Sequence, residues 1–248
     1  MSEAALVLAP VATAPEVATD RGEVVRELQE RIRRMQRTRL DTRAIPTEPA
    51  LADLLPGGAL EAGGSYAVSG STTLALSMLL GPSRAGAWCA VVGMPDLGVE
   101  AAAGLGVDLD RLVLVPHPGE HWLGVVAALV DVVSVVLVRP PRRDGRVTVS
   151  PAAAEKLSSR LRQREAVLVS VGDWPRADAA LRVTDSAWSG LGAGFGRLTA
   201  RQVTVASTAR AWEGRMRSRR LWLPGADARL AAVEPRAEAV ALRAARAG

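Results

Sequence analysis

Five short apolar runs, each followed or preceded by a segment of helical patterning, constrain this chain more than any other feature. They are Ser65–Ser69 (SYAVS), Ala87–Val92 (AWCAVV), Leu112–Val115 (LVLV), Val132–Val138 (VVSVVLV) and Ala166–Val171 (AVLVSV). None carries a charged residue, and β-branched residues dominate the last three. Runs of this kind suit strands buried on both faces rather than strands with one wet side. Between them the spacing predicts helices over Thr72–Leu80, Val99–Leu105, Trp122–Val130 and Pro151–Gln163. Strands alternating with helices imply right-handed crossovers, hence an α/β fold with a mostly parallel sheet flanked by helices.

After Gly172 the pattern changes to alternation. Ala180–Trp188 and Arg197–Val205 set apolar residues against polar ones, and Arg220–Leu223 (RLWL) reads as a last short strand. Gly190, Gly192, Gly194 and Gly196 suit a flexible hairpin connection between the first two. These segments predict antiparallel strands closing the C-terminal side of the sheet.

Composition removes several kinds of function. The chain has 248 residues, enough for one domain with appendages. No apolar run reaches the roughly 18–20 residues of a bilayer span, and no signal peptide is read at the N-terminus, so a cytoplasmic protein without membrane contact is expected. A single cysteine, Cys89, excludes an internal disulfide and a cysteine-based zinc site. Only His117 and His121 offer imidazole, and no metal is expected. Of the 31 basic residues only Lys156 is a lysine, a bias that a GC-rich genome explains.

Charge is unevenly spread. Residues 51–138 carry 2 basic and 8 acidic side chains, whereas residues 139–220 carry 17 basic and 7 acidic. The formal net charge of +5 therefore hides a −6 segment and a +10 segment. The basic segment suits phosphate, an acidic partner protein, or the acidic half of its own fold.

Residues 1–22 are expected to be disordered. Residues 23–40 read as an amphipathic helix, with Val25, Leu28, Ile32 and Met35 in one apolar stripe and Glu27–Arg31 and Glu30–Arg34 as i,i+4 pairs. The stripe either packs on its own domain or docks one partner helix or groove. Residues 41–225 form the core, and the Ala/Arg-rich residues 226–248 are expected to be a mobile tail.

The segment Leu54-Leu55-Pro56-Gly57-Gly58-Ala59-Leu60, then a strand, a Gly-Ser turn and Thr72-Thr73-Leu74-Ala75-Leu76, resembles the entry to the RecA-type ATPase core. There a similar lead-in precedes a strand, a Walker A loop and a helix. The resemblance runs in order through residues 51–223. Within it, Gly106–Pro116 (GVDLDRLVLVP) and Arg220–Gly225 (RLWLPG) resemble the ImuA family, in particular its actinobacterial ImuA-prime type.

The departures from that pattern carry chemistry. A working Walker A loop wraps the phosphates in backbone N–H groups and supplies a lysine to the β- and γ-phosphates and a hydroxyl to Mg²⁺. Here Ser69-Gly70-Ser71-Thr72-Thr73 keeps the turn and the hydroxyls but has no lysine and is too short to encircle a triphosphate. The strand corresponding to Walker B ends in Arg139-Pro140-Pro141, with no aspartate for the metal. Asp96 stands near the position of the RecA-type water-activating glutamate and is expected to cap a helix or shape the turn at Pro95. The expectation is a RecA-like fold without ATPase activity and without a cofactor.

The resemblance implies a non-catalytic adaptor of SOS-induced, error-prone translesion DNA synthesis. Its implied partner is ImuB, a Y-family-related, polymerase-like hub protein, and through it an error-prone replicative-type polymerase and the sliding clamp. It also implies association with the nucleoid on DNA damage. The alternative is a DNA-binding RecA paralogue in recombination or repair, with or without residual nucleotide binding. The first RecA DNA loop corresponds to Arg139–Pro151, where Arg139, Arg142, Arg143 and Arg146 are either phosphate contacts or a solvated surface loop. No aromatic residue interleaves with these arginines. The second loop shrinks to the short turn Gly172–Asp178. Trp188, Trp212 and Trp222 suit either core packing or a partner surface.

Overall fold

The computed structural model describes residues 44–143, 146–147, 149–191 and 196–234, without the side chains of Arg143, Arg146 and Val147. The helix expected over residues 23–40, with Val25, Leu28, Ile32 and Met35, lies outside the described residues, as do residues 1–22.

The apolar runs become strands in chain order. They are β1 (Ser65–Ser69), β2 (Cys89–Val92), β3 (Leu112–Val115), β4 (Val135–Val138) and β5 (Val167–Val171). The alternating segments become β6 (Ala179–Leu191), β7 (Gly196–Ala209) and β8 (Met216–Trp222), and Ala231–Ala232 adds a short β9. All nine share one sheet, in the order β9-β8-β7-β6-β1-β5-β4-β2-β3. Pairing is parallel from β6 across to β3 and antiparallel from β6 out to β9. A second pair, Arg142–Arg143 with Arg146–Val147, makes a small antiparallel hairpin after β4.

Helices cover both faces of the parallel part. Helix α1 (Thr72–Ser77), α2 (Leu80–Arg84) and α3 (Val99–Leu105) pack on one face, where Leu74, Leu80 and Leu105 meet Val68, Val91, Leu137 and Val169. Helix α4 (Trp122–Val130) and α5 (Pro151–Arg164) pack on the other, where Val126, Val130, Leu157 and Leu161 meet Ala90, Val136 and Leu168. Successive residues of a strand therefore feed opposite cores, which explains why these runs are apolar without alternation. Full burial of each Leu or Val is worth about 1.5–3 kcal/mol, so the two cores dominate stability.

Three expectations need adjustment. The helix expected over Thr72–Leu80 is two helices, broken at Met78 and Leu79. There the Met78 and Leu79 N–H groups donate to the Ala75 and Leu76 carbonyls, three residues back instead of four, and Pro82 further on has no N–H to offer the Met78 carbonyl. The strand expected from Val132 starts at Val135, because the N–H groups of Val132 and Val133 turn back to the Leu129 carbonyl and leave Val132 73% exposed. The tail does not begin at Ala226 as a free segment: Leu230 is buried and β9 pairs with Leu221 and Trp222. Residues 235–248 lie outside the described residues.

Beyond Arg182 strand β6 leaves β1 behind, and only at Gln202 does β7 meet β8. A bulge at Thr184 comes first; from Trp188 round to Ala200, among the described residues, β6 and β7 pair only with each other, with a second irregularity after Ser189, while Arg201 at the base still exchanges main-chain hydrogen bonds with Leu223 and Pro224. The outcome is a two-stranded ribbon projecting from the carboxyl end of the parallel sheet. Trp188, Leu191 and Leu198 on it are 50%, 65% and 45% exposed. Such a ribbon has no core of its own.

Candidate functional site

The carboxyl ends of β1, β2 and β4 bring together the residues that the phosphate-loop resemblance singles out. Gly70 takes the left-handed turn after β1 at φ +83°, its α-hydrogens facing the Val183 backbone on β6. Ser71 then caps α1, its hydroxyl accepting from the Leu74 N–H at 3.2 Å. Thr72 opens the helix beside it and Thr73 follows within the first turn. Ser69-Gly70-Ser71 is thus a tight strand-to-helix turn and not an encircling loop.

Arg139 fills the space in front of it. This residue follows β4 directly, and its N–H donates to the Val92 carbonyl at 2.9 Å. Its guanidinium donates to Asp96 Oδ1 at 2.6 Å and to Thr72 Oγ1 at 3.3 Å. The Arg139 hydrogen bond and charge hold the Asp96 carboxyl below the ordinary carboxylate range. The hydroxyl that the resemblance sets at Mg²⁺ and the acid that it sets near the water-activating position are both engaged by one arginine. Asp96 stands in a turn with Pro95, as the sequence suggests, where the Leu97 N–H donates to the Met94 carbonyl, and it is also the counter-ion of Arg139. Replacing Arg139 by alanine should therefore raise the Asp96 pKa toward its ordinary value. Carboxyl-carbon NMR titration of the variant checks this, and an unmoved Asp96 titration would show that the pair does not form in solution.

Two further arginines approach the same edge. Arg201, on β7, donates through Nε to Ser186 Oγ at 2.8 Å and through Nη1 to Ser71 Oγ at 3.5 Å. Its guanidinium lies 5.7 Å from the centroid of the Trp188 ring, its cross-strand partner. Arg142 folds back over Gly172, with Nη2 2.5 Å from the point where a Cβ on that glycine would stand. Gly172 in turn donates to the Val68 carbonyl at the end of β1. Of the four loop arginines, the structure brings Arg139 and Arg142 to this edge; the side chains of Arg143 and Arg146 lie outside the description. Arg201 was legible only as a polar position in an alternating strand, because its place depends on the pairing of β6 with β7.

Next to Arg139 a trough of roughly 720 Å³ runs between the ends of β2, β3 and β4, walled by Pro95, Pro116, Pro118 and Pro141 with Trp122 at its floor. Its proline walls offer no backbone N–H, so Arg139, His117 and Glu120 are its polar features. Among the described residues no cluster of histidine, cysteine and carboxylate side chains has the arrangement to hold a metal ion. His117 and His121 both precede α4 and meet no third ligand there. Cys89 is 1% exposed in β2, where burial pushes its thiol up to about 12. Among the described residues no helix is long and apolar enough to cross a membrane.

Fold and site together define an α/β protein whose phosphate-loop-like turn is faced by arginine side chains. Residues 53–176, half of the chain, match the family described as the MT3502 N-terminal domain, and the chain belongs to that family. It is also 38% identical over 125 residues to the uncharacterized protein Rv3395c of Mycobacterium tuberculosis (strain ATCC 25618 / H37Rv). That match takes in 49% of this chain and spans 59% of the length of the relative.

Proposed function

We propose that the chain is a RecA-like accessory protein without ATPase activity that acts as an adaptor in SOS-induced, error-prone translesion synthesis. Its partner in this reading is a polymerase-like hub protein of the ImuB type, which links it to an error-prone replicative-type polymerase and the sliding clamp. The RecA-like part of the reading is supported by the order of the motifs and by the antiparallel strands that follow the parallel ones into the same sheet. A mycobacterial relative is in keeping with the actinobacterial ImuA-prime type.

The observation that carries the reading is the Arg139 contact with Asp96 and Thr72. A triphosphate with Mg²⁺ needs a lysine at the phosphates and a carboxylate for the metal. Here a fixed cation stands between the two groups that remain. A guanidinium next to Thr72 opposes a divalent cation at that hydroxyl, and it cannot reproduce the lysine's compact charge within the loop.

A docking role is supported by α4. Its sequence, WLGVVAALV, has no charged residue on any side, yet Gly124 and Ala128 are exposed and Leu123, Val125 and Leu129 only partly covered. A helix that is apolar all round is ordinarily covered all round. The groove between α4 and α5 is lined by Leu123, Ala127, Ala153 and Leu157, with Lys156 and Arg160 at its rim.

Calorimetric titration of the full chain with ATP and Mg²⁺ tests the first half of the proposal. No saturable heat is expected up to about 1 mM nucleotide, a limit of roughly −4 kcal/mol in binding free energy. Micromolar binding would sink the reading. Co-expression with the hub protein tests the second half: the two should co-purify, and Ala127→Arg in the groove should release them.

A further inference from the structure

Three guanidinium groups and one half-exposed indole line the carboxyl edge of the sheet, and the adaptor reading uses none of them for binding. Arg139 and Arg201 rest on the neighbouring hydroxyls of Thr72 and Ser71, so their guanidinium groups flank one turn. Arg142 approaches from the hairpin after β4 and lies over Gly172. Among the described residues the only carboxylate in a salt bridge with any of the three is Asp96, which takes Arg139. Serine hydroxyls hold Arg201 in place without cancelling its charge. Among the described residues, then, neither Arg201 nor Arg142 has a carboxylate in a salt bridge on this edge.

The aromatic group that the loop arginines lack in sequence is supplied by the ribbon. Trp188 is paired across the strands with Arg201, on the same side of the ribbon, and is 50% exposed. Half of the residue is thus open to solvent beside a guanidinium that sits 5.7 Å from the ring centroid. An aromatic face next to a cation is the pairing that single-stranded nucleic acid uses: the base stacks and the adjoining phosphate meets the arginine. A duplex keeps its bases stacked on each other and offers only phosphates. An acidic peptide would satisfy the arginines and leave the indole unused.

We propose that the carboxyl edge of the sheet binds single-stranded nucleic acid, with phosphates at Arg201 and Arg142 and a base stacked on Trp188. The site neither requires nor excludes the hub-protein partner. It replaces the four-arginine loop with a surface built from three segments that are distant in sequence.

Fluorescence anisotropy of the full chain with a fluorescein-labelled oligo(dT) of about 20 nucleotides tests it. Saturable binding is expected at about 50 mM salt. It should fall roughly 7- to 20-fold by about 200 mM, the dependence for two or three phosphates on a single strand. Trp188→Ala should weaken binding at least about fivefold, while Trp188→Phe, which keeps a stacking face, should recover most of it. Arg201→Ala and Arg142→Ala should each weaken binding and flatten the salt dependence, and Arg176→Ala, near the opposite end of the sheet, should leave it unchanged. Thermal melts of each variant identify any that fail to fold, and Trp188→Phe and Arg142→Ala then carry the test. The proposal is overturned by no binding at low salt, or by equal affinity in Trp188→Ala and Arg201→Ala that melt like the parent. It is equally overturned if polyglutamate of matched charge competes as well as the oligonucleotide, which would assign the edge to an acidic protein.

Discussion

Between pH 9 and pH 12 the folded protein is expected to lose on the order of 7 kcal/mol of stability, enough to unfold an average domain. Two buried acids cause this. Cys89 lies within β2 and is 1% exposed, and burial pushes its thiol from an ordinary 9.0 up to about 12. Tyr66 in β1 is also 1% exposed. Burial raises its phenol from 10.0 to about 12, against the opposing pull of the Glu61 N–H, which donates to the hydroxyl at 2.7 Å; the charges of Asp178 and Glu61 add to the rise. In both cases the folded state holds its proton at a pH where the unfolded chain has released it. The unfolded state then binds fewer protons, so stability falls as pH rises, starting at the unfolded pKa and ending at the folded one. Urea melts at about pH 8, 9.5 and 11 should show the midpoint dropping steeply over the last interval. Cys89→Ala should remove the part that begins near pH 9 and leave the part that begins near pH 10. A midpoint that stays level to pH 11 would show that neither group is shielded as the fold implies.

The sheet was largely legible from residue pattern, and the reason is physical. Strands β1, β3 and β5 and helices α3 and α4 fall on or within a residue or two of the segments that the apolar runs marked; burial on two faces leaves no charged residue in β1 and β5, and β3 is apolar too although it lies at the sheet edge with Leu114 39% exposed. The breaks were less legible. The end of α1 is a switch of the Met78 and Leu79 N–H groups to carbonyls three residues back, which no residue in the apolar run announces. The start of β4 is set by how far the turn after α4 runs before pairing begins.

At the site, the absence of a lysine from Ser69–Thr73 and the arginine after β4 could be read directly, since both are identities at fixed positions of the motif that the segment resembles. What Arg139 does could not, because its partners come from α1 and from the turn after β2. Trp188 and Arg201 were read separately, one as a scattered tryptophan and the other as an alternating polar residue. Only the cross-strand register of β6 and β7 puts them side by side, and the bulge at Thr184 sets that register. Sequence pattern reports what each segment buries; it does not report which exposed side chains three segments bring to one edge.

Gly93 joins fold and site, and replacing it by alanine should cost about 3 kcal/mol. This glycine follows β2 with φ +73°, and its N–H donates to the Val115 carbonyl of the next strand at 2.9 Å. A Cβ there would stand 2.6 Å from the Arg139 carbonyl oxygen. Alanine thus meets two penalties, the left-handed backbone at about 1–2 kcal/mol and an overlap with main chain that has no rotamer to change. Gly119 separates the two terms. Its φ is +66° and nothing lies within 4 Å of the Cβ position, so Gly119→Ala should carry the backbone penalty alone. For a domain of this size the Gly93 change should lower the melting temperature by roughly 6–12 °C, and the Gly119 change by about one to two thirds of that. The backbone that must yield in Gly93→Ala is that of Arg139, so the contact with Asp96 should loosen with it, and the Asp96 titration should move toward its ordinary range. Equal melting shifts for the two glycines, with Asp96 unmoved, would show that β2 and β4 do not pack at their carboxyl ends as closely as the site requires.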